Sequence, residues 1–441
     1  MSISRKSLLA GVTTAALALV ASMVTVAAPA NAAANCAPYA SYHGIKGKTV
    51  KVFTSILDPE LSKLKLAMAG FMKCTGVNVK FEGSNQFEAL LPVRVRGGNA
   101  PDIALIPQPG LLAAMVATGK VKPAPAGVIA NITKFYSPSW KALGSVNGKF
   151  YAAPLGSNMK SLVWFSPKRF AAGHYTVPKT WTEMMALSDK MVAAKQTPWC
   201  GGIGSGGATG WPATDWLEET VVRMYGSKVY NDWISHKVKF SDPKIMAAMR
   251  TVAGWMQNPK YVGDVKAIAT TSFQDAGQGI PKAGCMMLQQ ASFYGAQFPA
   301  GTNVSATGDV FAFYLPGINP AVKAPVEGGG EFSTGFSSRN EVKQVLAFMS
   351  SATYATARAN LGHWVSANSG VPLASYADPI DRLSAQYLAN RKSTFVFDAS
   401  DAMPAAIGAG KEWTEFTAWF GEGKSIADVA KAIDAAWPTT N

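Results

Sequence analysis

The stretch from Trp199 to Trp216 (WCGGIGSGGATGWPATDW) has the composition of a ligand-binding loop. It contains six glycines, three tryptophans, one cysteine and one carboxylate, Asp215. Glycine gives the backbone access to positive φ and lets a ligand approach closely, and tryptophan offers a flat apolar face with one polar N–H. A helix is predicted to follow over 214–225. The stretch is therefore expected to bind a ligand rather than to serve only as a connection.

Two glycine patterns look like phosphate-binding loops, but neither has the neighbours that such a loop requires. The pattern GIGSGG beginning at Gly202 has the spacing of the dinucleotide fingerprint, which needs a strand directly before it and a helix directly after it. A predicted helix and Pro198 precede it here. The pattern GEGKS ending at Ser425 has Ala418 where the first glycine of a phosphate loop belongs. We predict no nucleotide cofactor, and a capping role for Ser425 at the last helix.

Asp215, Glu218 and Glu219 could supply the paired carboxylates of a glycoside hydrolase. On a helix, Asp215 and Glu219 would share one face. Acids in a first turn also stabilise a helix through its dipole, and this is the interpretation we prefer. The sequence has no GxSxG and no HExxH pattern, so it lacks a nucleophile elbow and that zinc motif. We predict no catalytic residue and no metal site, with a secreted glycoside hydrolase as the alternative.

Amide side chains follow several predicted strands. Sugars present apolar C–H faces and many hydroxyls; aromatic rings cover the faces, and planar polar side chains bind the hydroxyls. Trp211 is the predicted stacking platform, and Asp215 is the predicted hydroxyl acceptor. The amides are Gln86, Gln108, Asn158, Gln289 and Gln290. Because α/β folds bind ligands at strand ends, we predict that these side chains line one cleft.

Hydrophobic periodicity predicts an α/β fold. A strand over 49–56, a helix over 59–73 and a strand over 77–81 form a βαβ unit, which implies parallel strands and a right-handed crossover. A helix over 86–96 and a strand over 103–106 repeat the pattern. Further along lie apolar segments at 149–155 and 161–165 and strands at 284–288 and 309–315. Helices are predicted to begin near Thr180, Thr214, Asp242, Asn340, Asp378 and Ser425.

Length and charge restrict the function. The chain has 441 residues, which suits two domains rather than one core. Its formal net charge is +14, but no run exceeds two adjacent cations. Nucleic-acid-binding proteins concentrate their basic residues on a stripe or an arm. The scattered charge therefore predicts a solvated basic surface and no nucleic-acid partner.

The N-terminus has the pattern of an export signal. Arg5 and Lys6 precede an apolar run from Leu8 to Val26, and Ala30-Asn31-Ala32 provides a small-x-small cleavage site. An uncleaved membrane anchor is the alternative, because the run is long enough to span a bilayer. We predict a signal peptide over 1–32 and an extracytoplasmic mature protein.

The four cysteines are expected to form disulfides, since an even number in an exported chain favours them. Three pairings are possible, and we favour Cys36–Cys74 with Cys200–Cys285. The first would tie the N-terminus to the end of a helix. The second would attach the glycine-rich stretch to a distant strand. No CxxC or HxxxH spacing supports a metal site instead.

Four stretches together resemble extracellular solute-binding proteins of carbohydrate ABC importers, in particular the alpha-glucoside-binding type. They are GNAPD from Gly98 followed by IPQP, TPWC through ATGWPATDW, GCMMLQQASF from Gly284, and FDASDAMP from Phe397. The resemblance covers nearly the whole mature chain. A small residue before a lipid-modified cysteine is missing, because Asn35 precedes Cys36.

The resemblance implies an α/β, two-lobe periplasmic-binding-protein-like fold (type II). The chain would cross the hinge three times, near Leu155, Leu315 and Ser369. One lobe would comprise 45–155 and 316–368, and the other 156–315 and 369–441. Ligand would lie in the cleft between them, and the resemblance adds Thr209, Phe293, Asp398 and Asp401 to the cleft residues.

The resemblance also implies a function and partners. The protein would capture a sugar or oligosaccharide, act without catalysis or cofactor, and deliver its ligand as a monomer to the membrane permease subunits of an ABC importer. A binding protein for a non-sugar solute is the second alternative.

Overall fold

The computed structural model describes residues 35–389 and 394–438, so the predicted signal peptide lies outside the described residues. Its strands are short and spread along the chain. They are β1 (Thr49–Thr54), β2 (Asn78–Gly83), β3 (Ile103–Ile106), β4 (Ser145–Val146), β5 (Lys149–Phe150), β6 (Ala152–Pro154), β7 (Asn158–Met159), β8 (Leu162–Phe165), β9 (Met287–Gln289), β10 (Phe311–Tyr314), β11 (Pro325–Gly329), β12 (Phe332–Gly335) and β13 (Thr394–Phe397).

Helices make up most of the remaining regular structure. They are α1 (Glu60–Thr75), α2 (Phe87–Arg96), α3 (Pro109–Ala117), α4 (Ala126–Phe135), α5 (Pro138–Leu143), α6 (Pro167–Ala172), α7 (Trp181–Ala193), α8 (Trp211–Ile234), α9 (Pro243–Met256), α10 (Pro259–Val262), α11 (Ala267–Thr270), α12 (Phe273–Ala276), α13 (Asn340–Met349), α14 (Ala352–Ala359), α15 (Pro379–Ala389), α16 (Ala399–Ala402), α17 (Trp413–Gly421) and α18 (Ile426–Ala436). Short 3-10 turns cover Ala37–Tyr39, Gly206–Ala208, Ser292–Gln297 and Leu373–Ser375, and a π-turn covers Ile407–Glu412.

The first sheet contains the βαβ units that the sequence predicts. β1 pairs in parallel with β2 on one side and with β3 on the other. β12 then pairs antiparallel with β3, and β6 follows it, which gives the order β2-β1-β3-β12-β6. The carboxyl ends of β1, β2 and β3 open at the same edge, and α1, α2 and α3 begin there. This edge is where a parallel sheet binds ligands.

Two smaller sheets are built from the later part of the chain. One has the order β10-β8-β9 and is antiparallel throughout. The other has the order β13-β11-β7, in which β11 is parallel to β13 and antiparallel to β7. This last sheet joins strands that are distant in the sequence.

The buried apolar side chains form separate clusters. One surrounds α8, α9, α17 and α18 and includes the fully buried Trp216 and Trp255. Another surrounds β1, β2, α1 and α13, where Phe71 stacks on Phe348 with ring centroids 4.2 Å apart. The molecule therefore has more than one apolar core among its described residues, as a chain of this length requires.

Both favoured disulfides are confirmed. Cys36 bonds to Cys74 near the end of α1, with Cα atoms 5.4 Å apart. Cys200 bonds to Cys285, with Cα atoms 5.2 Å apart. The second bond holds the glycine-rich stretch beside β9.

Several element boundaries differ from the sequence predictions; β9, for example, covers 287–289 rather than 284–288. α8 begins at Trp211 rather than at Thr214, because Pro212 suits a first helical turn. α8 also extends to Ile234 rather than ending at 225 as predicted. Gly226, with φ 77° and ψ 174°, interrupts its helical backbone. Asn340 is the first residue of α13 rather than its cap, and Arg339 precedes it in an extended conformation.

Candidate functional site

A cavity of about 540 Å³ lies where the carboxyl edge of the first sheet faces the glycine-rich stretch. One side, the strand-end wall, is formed by Ser55–Asp58, Glu60, Ser84, Asn85, Glu88, Pro107 and Gln108. The opposite side, the aromatic wall, is formed by residues from Gly204 to Trp211, by Phe273, Gln274, Phe293 and Gln297, and by Trp413. Asn158, Lys160, Gly329–Glu331, Asp398 and Asp401 complete the lining. Concave sites of this size bind small molecules.

Carboxyl and amide groups line the strand-end wall at the starts of helices. Glu60 is the first residue of α1, and Glu88 lies in the first turn of α2. Gln108, which is separated from β3 by Pro107, is buried and donates from Nε2 to Glu88 Oε1 at 3.2 Å. Gln108 Oε1 is buried without a hydrogen-bond partner among the described residues. A buried acceptor without a partner is costly, so this oxygen is suited to a donor group on a ligand.

Aromatic rings give the other wall its apolar character. Trp211 packs edge-on against Phe273, with ring centroids 5.1 Å apart and an interplanar angle of 69°. Phe293 lies 6.2 Å from the same indole. All three side chains are only partly buried. Because each borders the cavity, part of their ring surface can be covered by an apolar face of a ligand.

Lys160 is the cation of the cavity lining. Its Nζ donates to Asp215 Oδ1 at 2.7 Å and also contacts Asp398 Oδ2. The same ammonium lies 5.3 Å from the centre of the Trp211 ring. Burial alone would lower the pKa of Lys160, but Asp215 and Asp398 together raise it well above its ordinary value. Lys160 is therefore protonated, and its charge is shared by two carboxylates.

The two partners of Lys160 differ in protonation. Burial raises the pKa of Asp215 to about 7, although Lys160 opposes the shift. Burial acts on Asp398 in the same direction, but Lys160 outweighs it and holds the pKa of Asp398 below its ordinary value. Asp398 also accepts from the Asp401 backbone N–H at 2.8 Å and from Ser400 Oγ at 2.9 Å. Asp398 therefore orients Lys160 and caps α16 at once.

The nearby acids do not form a convincing metal site. Carboxylate oxygens of Asp215, Glu218 and Asp398 lie within 4.8 Å of one another. Lys160 already neutralises two of these residues, and the Glu218 carboxylate accepts the backbone N–H groups of Ala399 and Ser400 at 2.5 and 3.1 Å. Protein donors therefore already contact all three carboxyl groups, and Asp215 Oδ2 is the oxygen of Asp215 that is buried without a hydrogen-bond partner among the described residues.

The structure brings most of the predicted site residues together. Those that line the cavity are Gln108, Asn158, Thr209, Trp211, Phe293, Asp398 and Asp401. Those that do not line it are Gln86, Asp215, Gln289 and Gln290. Gln289 instead donates to the Lys160 carbonyl at 2.9 Å, and Gln290 Oε1 accepts from the Ala291 N–H at 2.7 Å. Asp215 acts through Lys160, and Gln86 lies against Gly207.

Several lining residues were missed by the sequence reasoning. They are chiefly Glu60, Glu88, Lys160, Phe273, Gln297, Glu331 and Trp413. Glu60 and Glu88 could have been found, because each begins a helix that follows a predicted strand. Trp413 and Phe273 carry no comparable signal, since both come from short helices far from the glycine-rich stretch in sequence.

The two walls touch at the rim of the cavity. The Gly207 N–H donates to the Asn85 carbonyl at 2.9 Å. Gly206 has φ +59°, and a Cβ there would lie 2.7 Å from the same carbonyl oxygen. Gln297 Nε2 is 3.4 Å from Glu60 Oε2. Glycine is needed at 206 both for the backbone conformation and for the close approach.

The chain belongs to the family of bacterial extracellular solute-binding proteins, whose family model matches residues 55–356. The family consists of extracellular binding proteins. Within the described residues, no helix is both long and apolar enough to cross a membrane.

Two relatives align over most of their length. The osmoprotective compounds-binding protein GgtB of Synechocystis is 35% identical, covering 89% of this chain and 93% of the relative. The alpha-glucosides-binding periplasmic protein AglE of Rhizobium meliloti is 33% identical, covering 90% and 88%. Among solved structures, the solute receptor AcbH, which prefers β-D-galactopyranose, superposes with a TM-score of 0.75 at 20% identity, covering 88% of this chain and 98% of its own. The fold is thus the two-lobe α/β fold of solute-binding proteins.

Proposed function

We propose that the protein captures a sugar or oligosaccharide of the alpha-glucoside kind and delivers it to an ABC permease. The observation that carries this proposal is the cavity between an aromatic wall and a wall of acceptor side chains. Aromatic rings can pack against the C–H faces of a sugar, and amide and carboxyl oxygens accept hydrogen bonds from its hydroxyls. The names of the AglE and AcbH relatives support a sugar ligand.

The proposed lobes comprise 45–155 with 316–368 and 156–315 with 369–441, joined by three hinge crossings. Two separate apolar clusters, one drawn from 45–155 and 342–354 and the other from 163–315 and 396–433, support this division. β11, which lies in 316–368, pairs with β7 and β13 of the other proposed lobe, so this segment does not follow the division. Ligand would contact both walls and favour the closed arrangement, which the permease would recognise. The protein would act as a monomer.

The proposal includes the absence of catalysis. Lys160 pairs with Asp215 and Asp398, which holds these carboxyls in fixed contacts rather than leaving them free as an acid and base pair. Incubation with maltose and trehalose is expected to leave both sugars intact. Release of glucose by the purified protein would instead support a glycoside hydrolase.

The test is a thermal-shift screen followed by calorimetry with maltose, trehalose, maltotriose and galactose. A ligand that binds the native state raises the unfolding midpoint by mass action. Glycine betaine serves as the non-sugar comparison. A shift with betaine and with none of the sugars would contradict the proposal and favour a non-sugar solute.

Trp211→Ala should weaken sugar binding by about 1–3 kcal/mol, the size of a stacked aromatic contact. The matched control is Trp437→Ala, which removes an indole that stacks on His236 at 4.1 Å and lies outside the cavity lining. The control should lower the unfolding midpoint and leave the dissociation constant unchanged. Equal affinities of the two variants would remove Trp211 from the site.

A further inference from the structure

The cavity lining is rich in carboxyl groups, whereas the chain as a whole is basic. The chain has a formal net charge of +14. The lining contains six carboxyl side chains and a single cationic one, Lys160. The carboxyl residues are Asp58, Glu60, Glu88, Glu331, Asp398 and Asp401. An incoming ligand therefore meets a local charge that the net charge of the protein does not predict.

Lys160 has no charge to spare for an anionic ligand. Its ammonium is buried between Asp215 and Asp398, and both carboxylates lie within ion-pair distance. In the described part of the chain, Glu60, Glu88, Glu331 and Asp401 have no Lys, Arg or His nitrogen at ion-pair distance. The cavity thus offers an anion no unpaired cationic side chain.

Helix N-termini are the other usual source of anion binding, and of the three that begin at this wall, α1 and α2 already carry a carboxyl group in their first turn, whereas α3 does not. α1 and α2 both begin at the strand-end wall, where their dipoles and free N–H groups would attract negative charge. Glu60 opens α1, and Glu88 lies in the first turn of α2. Each helix therefore carries its own carboxylate at its positive end.

The buried polar atoms also call for a donor-rich ligand. Gln108 is 3% exposed, lines the cavity, and keeps Oε1 without a hydrogen-bond partner among the described residues. This oxygen can only accept, as can a neighbouring carboxyl group once it is ionised. Burial raises the pKa of Glu88, the carboxyl that Gln108 contacts. A carboxylate or phosphate on the ligand would place further acceptors against them.

We propose that this cavity selects neutral or amine-bearing glycosides and rejects anionic ones, with Glu60 and Glu331 as specificity-determining residues. The inference rests on the proposed function and restricts the ligand to sugars without a negative charge. Like charges brought together in a desolvated site cost several kcal/mol, so an acidic derivative should bind at least about tenfold more weakly than its neutral parent.

The experiment compares matched ligands that differ at one carbon. Maltose and trehalose are each titrated calorimetrically beside their 6-amino-6-deoxy derivatives and their uronates, at about pH 8. The neutral and amino sugars should bind the wild-type protein, and the uronates should bind at least about tenfold more weakly. The double variant Glu60→Gln, Glu331→Gln should narrow the ratio between the dissociation constants of the uronate and of the neutral sugar.

The control is Glu422→Gln, which changes an exposed glutamate outside the cavity lining. It should keep the full discrimination against the uronate. A uronate that binds wild-type protein as tightly as the neutral sugar overturns the inference and leaves the proposed function standing. Should no member of either series bind, the sugar assignment itself fails. The wild-type comparison decides the matter even if the double variant does not fold.

Discussion

At the scale of single residues, Lys160 links more of the site than any predicted residue does. It contacts carboxylates from α8 and from the start of α16, and it lies beside the Trp211 ring. A buried cation between two acids is stable only while the set is complete. The residue therefore holds together the polar end of the cavity as well as lining it.

Lys160→Met keeps the aliphatic stem and removes the charge, which leaves Asp215 and Asp398 buried together without their cation. The free energy of unfolding should fall by about 3–5 kcal/mol, measured by urea denaturation. Lys168→Met is the control, because it removes an ion pair to Asp309 in which the lysine side chain is 63% exposed. That loss should stay below about 1 kcal/mol. Equal losses would mean that the buried acids are neutralised by protons rather than by Lys160.

Glu60 gives a prediction about pH. Burial, with Glu331 nearby, raises the pKa of Glu60 to about 7 from an ordinary value of 4.5, and the more distant Arg358 and Lys63 oppose the shift. Between these values the native state holds a proton that the unfolded chain releases, so stability is lost as pH rises through about 7.

Glu60→Gln removes this titration. The free energy of unfolding of the variant, relative to that of wild type, should be about 1–2 kcal/mol higher at about pH 8 than at about pH 5. This value is reduced to allow for the partial exposure of the side chain. Unfolding midpoints at both pH values measure it. The same midpoints for Glu422→Gln should run parallel to wild type. If the midpoints of Glu60→Gln and wild type differ by the same amount at both pH values, the pKa of Glu60 has its ordinary value.

At the scale of elements, the glycine-rich stretch and the β2–α2 loop form the contact between the two walls. Gly206→Ala would force a Cβ to 2.7 Å from the Asn85 carbonyl oxygen and would strain a positive φ. Gly226 also has a positive φ, but a Cβ there would meet nothing within 4 Å. The two substitutions share the backbone strain and differ in the contact across the rim.

Both variants should therefore lose stability by about 1 kcal/mol or more, but only Gly206→Ala should also bind the sugar more weakly, because it opposes closure. Calorimetric titration of the two variants separates the effects. Unchanged affinity in Gly206→Ala would show that this contact is not needed for binding.

The sequence predicted the secondary-structure elements better than it predicted which side chains contact one another. The parallel direction of β1, β2 and β3 followed from local periodicity, and the strand-end amides Gln108 and Asn158 line the cavity. Lys160 was missed because its partners lie 55 and 238 residues away in sequence. Gln289 is the last residue of β9 and Gln290 follows it, but their side chains form hydrogen bonds with nearby backbone groups. Such choices depend on three-dimensional neighbours that no local pattern records.

At the scale of the whole molecule, the Cys200–Cys285 disulfide closes a loop within one proposed lobe, and Cys36–Cys74 attaches the segment before residue 45 to the other. The bonds join residues 38 and 85 positions apart. Closing loops of this length stabilises a native state by about 4 kcal/mol each in the chain-entropy model. Neither bond crosses the cavity.

Reduction should therefore lower the unfolding midpoint strongly and leave the dissociation constant of the bound sugar within about twofold, since closure does not depend on either crosslink. Calorimetric titration with and without reductant, below the unfolding range, tests this. A large loss of affinity would indicate that the Cys200–Cys285 bond positions the aromatic wall. Reduction followed by alkylation of each pair singly would then identify the bond responsible.

The hydrogen bond between Gly207 and Asn85 runs from main chain to main chain. Replacing the Asn85 side chain leaves the accepting carbonyl in position, so this contact between the walls does not depend on the side chain at position 85. The side chains that recognise the ligand can therefore be changed without removing the main-chain contact that joins the two walls. The acidic and amide residues of the strand-end wall could be substituted to bind a new solute while the backbone contact between Gly207 and Asn85 is kept. This makes the fold a convenient scaffold for biosensors with altered ligands.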